Sequence, residues 1–149
     1  MSDTLPAAPL AEPQKAPWHL WLVAILTLLW NGSGAITIWM AQAGALPGIS
    51  AEEAAYYAAQ SLPFMLVTDV ALVTPLAAGI ALLFRSRAAV PLFAISLVCI
   101  CITNTWGILD GTSRALANTG ALVVTCIILV LAILQLIYAR VMQQRGVLC

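Results

Sequence analysis

Four runs of about twenty apolar residues, parted by short polar breaks, leave this chain few ways to fold. They cover residues 20–41, 62–84, 88–106 and 120–139. A helix of about 20 apolar residues crosses the roughly 30 Å hydrocarbon core of a bilayer. Lipid offers no partner to a bare backbone amide or carbonyl, so each run must close its hydrogen bonds internally and form a helix. That requirement overrides the β-branched content of LVVTCIILVLAILQLIY and FAISLVCICIT. Composition points the same way: 62% of the 149 residues are hydrophobic and 8% are charged, too little polar surface for a water-soluble domain. The expected fold is an all-α membrane protein, a four-transmembrane-helix bundle over residues 18–149. Residues 1–17, with four prolines and few large apolar groups, are expected to be a flexible cytoplasmic tail.

Charge sets the expected orientation. With both termini on one side, that side holds Lys15, Arg85, Arg87, Arg140 and Arg145, and the other holds Arg114. The positive-inside rule then puts both termini in the cytoplasm. Trp18 and Trp21 fall at the inner edge of the first span, and Trp39 and Trp106 near the outer face, as interfacial aromatics do. Trp30 falls mid-span and reads as a packing residue. The WMAQAGA segment resembles a signal-peptide cleavage site, but the preceding run is too long for a signal-peptide core and its tail too weakly basic. Six basic and six acidic residues cancel, so neither a nucleic-acid patch nor an acidic tail is expected.

The outer loops carry local signals. Ser50-Ala-Glu-Glu53 is a capping-box pattern, predicting a short helix from Ala51 to Gln60 with Tyr56 and Tyr57 at the interface. Pro63 suits the first turn of the second span. Asp110-Gly111 opens a turn in the second outer loop.

Asp69 is the residue that asks for an explanation. Five residues beyond Phe64, at 1.5 Å each, it lies roughly 8 Å inside the outer edge of the second span. An ionisable group at that depth is expected to face protein or become protonated. It reads either as a proton or cation site or as a hydrogen-bonded anchor for helix packing. Depth nominates Asn104 and Thr125 as neighbours, with Thr37, Thr103 and Thr105 near them and Arg114 reaching down from the loop. Pro75 removes a backbone hydrogen bond and is expected to kink the span, freeing a carbonyl near residue 71 for a polar cavity, a threonine or a neighbouring helix. Asn31-Gly-Ser-Gly34 is expected to admit a second backbone, with Asn31 bonding across, and Ala77, Gly79 and Ala81 form a similar region. Gln135 reads as a packing contact.

Nothing in the sequence names a catalytic group, a metal ligand set or a cofactor. His19 is the only histidine, which excludes a bis-histidine haem within one chain. Cys99 and Cys101 point to different faces of one helix, and Cys126 reads as apolar packing.

PWHLWLVAILTLLWNGSGA (residues 17–35), LLFRSRAAVPLFAISL (82–97), Asp110-Gly111 and YARVMQQRGVL (138–148) together resemble a family of small four-span inner-membrane proteins of alphaproteobacteria. The likeness spans most of the chain and implies a bacterial inner-membrane location. Members often carry a "sugar transporter" label without an established activity, and the resemblance implies no site residue. Thr68-Asp69 and Thr74-Pro75 depart from the aromatic and glycine-rich second span of that family.

The expected role is non-enzymatic: an accessory or structural subunit meeting the lipid bilayer and other membrane proteins, or a second copy of itself. The alternative is a small solute or proton-coupled transporter with Asp69 as the coupling group.

Overall fold

The computed structural model describes residues 16–109 and 119–148. Among them lie five helices and no strand: α1 (Trp18–Gln42), α2 (Ala51–Ala58), α3 (Leu62–Leu83), α4 (Ala89–Leu109) and α5 (Thr119–Gln144). α1, α3, α4 and residues 122–144 of α5 are each long and apolar enough to cross a membrane. The chain is an all-α, four-span membrane bundle. Residues 1–15 of the tail, the Asp110-Gly111 turn, Arg114 and Cys149 lie outside the described residues.

α5, the fourth span, runs five residues past its expected limit, to Gln144 rather than Ala139. Arg, Val, Met and Gln continue a helix readily enough, so hydropathy marks where lipid ends and a cap marks where the helix ends. That cap is Gly146, at φ 68°. The Gly146 amide donates to Gln143 O (3.0 Å) and Val147 N to Met142 O (3.1 Å), a Schellman closure. α1 ends the same way at Gly44, with bonds to Ala41 O and Met40 O.

α3 repeats this motif with an arginine. Arg85 N donates to Leu82 O and Ser86 N to Ala81 O, and Arg85 takes φ 56°. A left-handed conformation costs a non-glycine residue about 1–2 kcal/mol. The Arg85 side chain gives the reason for the exception: its Nε donates to Val147 O at 3.0 Å, and beside it Arg87 Nε donates to Leu148 O at 3.2 Å. The link between α3 and α4 thus holds the segment that follows α5.

At this end the bundle has its densest core. Leu20, Ala24, Ala78, Leu82, Ala89, Phe93, Ala139, Met142, Val147 and Leu148 are buried together. α3 lies centrally, packed extensively on α4 and on α1, and α4 packs on α5. The tightest contact is at Gly79, where a Cβ would stand 2.9 Å from Leu28 Cδ2 and 3.0 Å from Leu28 Cγ. Gly79→Ala is therefore expected to destabilise the bundle by about 1 kcal/mol. Overpacking costs about 1–3 kcal/mol and alanine's better helix propensity returns about 0.5–1. Reversible unfolding in bicelles measures the difference.

The expected close approach at Asn31-Gly-Ser-Gly34 is not where the backbones meet. A Cβ on Gly32 would find Leu76 at an ordinary 3.9 Å, and one on Gly34 would find open space. Small residues permit approach but do not select it; α1 crosses α3 one turn earlier, at Thr27 and Leu28.

The short helix α2 forms with its capping box. Ser50 Oγ accepts from Glu53 N (3.2 Å) and the Glu53 carboxylate accepts from Ser50 N (2.9 Å). The helix ends at Ala58, two residues short of the expected limit. The Ser50 backbone amide, and then its hydroxyl, holds the Glu53 carboxyl below its ordinary pKa of 4.5. Because the folded pKa is the lower one, the cap is fully present above the unfolded value and is lost as pH falls through the folded value. Acidification below 4.5 is thus expected to fray α2 first. Amide exchange at Ala54 and Ala55 should accelerate while the spans stay protected.

Candidate functional site

Asp69 finds its partner on α1. Trp39 Nε1 donates to Asp69 Oδ1 at 2.9 Å, joining the last turns of α1 to the second turn of α3. Gln42 Nε2 and Gln60 Oε1, 3.4 Å apart, add a longer contact nearby. The indole has one N–H to donate, and a carboxylate oxygen in the same layer accepts it. The two residues form a polar latch between α1 and α3.

Asp69 therefore does not gather the cluster that depth suggested. Asn104 Nδ2 donates to Ile100 O of its own helix at 2.8 Å. Asn31 Nδ2 likewise turns back to Thr27 O, 2.8 Å away, rather than bonding across to another helix. Thr125 is half-buried on α5 and takes no part in the latch. Thr37, Thr103 and Thr105 each donate to a carbonyl of their own helix. Arg114 lies outside the described residues. Depth fixes which residues share a layer; rotation about each helix axis decides which of them face one another. Trp39 belonged to the right layer, and its single donor was the signal that could have found it.

Pro75 sits buried within α3, and the helix continues through it. The carbonyl it frees is that of Ala71, four residues back. Ser96 Oγ of α4 donates to Ala71 O at 3.0 Å, and Ser96 is 2% exposed. Thr74 Oγ1 also donates to Val70 O at 2.7 Å. The freed carbonyl is closed by a neighbouring helix, and no polar cavity is needed to serve it. Ser96 went unnoticed in the sequence because a lone serine in an apolar run gives no sign of where it points.

Other polar groups in the spans are engaged as well. Ser33 and Thr68 donate to carbonyls of their own helices. Among the described residues, no buried side-chain nitrogen or oxygen lacks a partner. None of the described His, Cys, Asp and Glu residues form a group of three that could hold a metal ion. His19 Nδ1 and Tyr138 Oη are 2.7 Å apart, tying the start of α1 to α5. Trp30 is not packed in the core: it is 46% exposed. With Gln135 it lines an opening of about 720 Å³ between α1 and α5.

Comparison with protein-family models, with curated proteins and with solved structures finds no match to this chain.

Proposed function

We propose that this chain is an accessory or structural subunit of a membrane complex, belonging to the small four-span proteins it resembles and residing in the bacterial inner membrane. One observation carries the reading: most polar side chains of the spans are engaged in local bonds. Trp39 meets Asp69, Ser96 meets the carbonyl freed by Pro75, and Asn31 and Asn104 close on their own helices. A solute path needs polar groups that face a shared channel and exchange partners. Here two of the bonds fasten helix to helix and the others close on carbonyls of their own helices. Arg85, Arg87, Arg140 and Arg145 mark one end of the bundle, and the positive-inside rule assigns it to the cytoplasm.

Purification in a mild detergent tests this reading. The chain should elute with a larger membrane assembly, and a lone monomer under those conditions would overturn it. The transporter alternative has its own test in Asp69→Asn. The amide oxygen still accepts from Trp39 Nε1, so stability should change by less than about 0.6 kcal/mol, the average worth of such a bond in membranes. Liposomes holding wild-type and variant protein should show the same proton movement with or without sugar. Solute-driven proton uptake that vanishes in the variant would move Asp69 from latch to coupling site.

A further inference from the structure

Two facing stripes leave a wedge open in the bundle. On α1, His19, Val23, Leu26 and Trp30 recur at three- and four-residue spacing, and the opposing wall includes Leu134 and Tyr138 of α5 and Arg145 just beyond its last turn. The walls touch where His19 meets Tyr138, and the open groove between them holds about 720 Å³. This second wall runs from Leu131 on α5 to Arg145 just past its end. At 1.5 Å per residue that is about 21 Å, enough to span the acyl region of one leaflet, about half of a 30 Å hydrocarbon core.

The two ends of the wedge differ in charge. Arg145, exposed, stands at one mouth, on the bundle end that also bears Arg85, Arg87 and Arg140. Every described carboxylate (Glu52, Glu53, Asp69) belongs to the opposite half. No acid among the described residues therefore competes for the Arg145 guanidinium. In a bilayer the apolar length of the wedge has to be filled, and the basic mouth selects what fills it.

We propose that the wedge between α1 and α5 binds one anionic glycerophospholipid of the surrounding bilayer. An acyl chain lies along Val23, Leu26, Trp30 and Leu134, and the phosphate meets Arg145. A guanidinium offers a phosphodiester two parallel N–H donors, which an exposed lysine would not. His19 and Tyr138 close the floor of the wedge just below the headgroup and fix its width. The occupant is thus a lipid held by charge and length together, rather than bulk solvent for the helices.

Native mass spectrometry of the full chain tests this, with dioleoyl phosphatidylglycerol and dioleoyl phosphatidylcholine as probes. One phosphatidylglycerol should be retained at a concentration about fivefold lower than phosphatidylcholine, the weight of one basic residue at a membrane surface. Arg145→Gln should abolish that preference and Arg145→Lys should restore part of it. Leu134→Trp, which fills the wedge from an exposed position, should weaken retention of both lipids. Brominated-chain phosphatidylglycerol should quench wild-type tryptophan emission more than that of Trp30→Phe. Equal retention of the two lipids, an unchanged preference in Arg145→Gln, or a dimer that excludes lipid from the wedge would each overturn the proposal.

Discussion

Leu148→Ala is expected to lower the stability of the bundle by about 2–5 kcal/mol, the range for truncating a leucine enclosed in a core. Leu148 is 0% exposed and Val147 2%, although both lie beyond the last helical turn of α5. Two devices hold them there. The Schellman closure at Gly146 turns the chain back, bringing Val147 against Met142. Arg85 and Arg87 then bond the carbonyls of Val147 and Leu148, so the backbone is fixed from the α3–α4 link. Removing the leucine side chain leaves a hole that these bonds prevent from collapsing, which places the loss toward the upper part of the range. Equilibrium unfolding in mixed micelles, followed by circular dichroism, measures it. A loss below about 0.5 kcal/mol, the scale of a surface change, would show that the segment is not held in the core.

Ser96→Ala should cost about 1–3 kcal/mol, because it strands a buried carbonyl. The stranded group is Ala71 O, which Pro75 leaves without its helical donor. The same logic makes the effect conditional. In a Pro75→Ala background, residue 75 regains its N–H and can bond Ala71 O itself, so removing the Ser96 hydroxyl should then cost little. A double-mutant cycle reads the difference directly as a coupling energy, expected at about 1–2 kcal/mol for groups sharing one acceptor. Additive losses would mean that Ser96 contributes by packing rather than by closing the gap at the proline.

Much of the architecture was legible from the residues. The four spans, the capping box at Ser50 and Glu53, the place of Pro63 and the opening of a carbonyl near residue 71 all follow from local rules. Each is decided within a few residues, by transfer into lipid or by an unpaired backbone group. The candidate site was less legible. Asp69 was expected to face protein or become protonated; its partner among the described residues is Trp39, not Asn104 or Thr125. Asn31 looked like a bridge between helices and instead caps a carbonyl of its own. Trp30 looked like core and faces the wedge.

The sequence by itself determined that this chain crosses a membrane four times as helices, because lipid forbids every other way of pairing the backbone. It determined as well that a carbonyl freed by proline would need a partner and that an intramembrane acid would have to face protein or be neutralised. Only the tertiary structure decided which partners: Ser96 for Ala71, Trp39 for Asp69, and the arginine pair for the segment after α5. The reason is that helices uniformly apolar around their circumference carry no stripe to say which face turns inward. In lipid, where one apolar face is as good as another, that rotation is set by a few close contacts such as Gly79 on Leu28 and by a few polar bonds between helices.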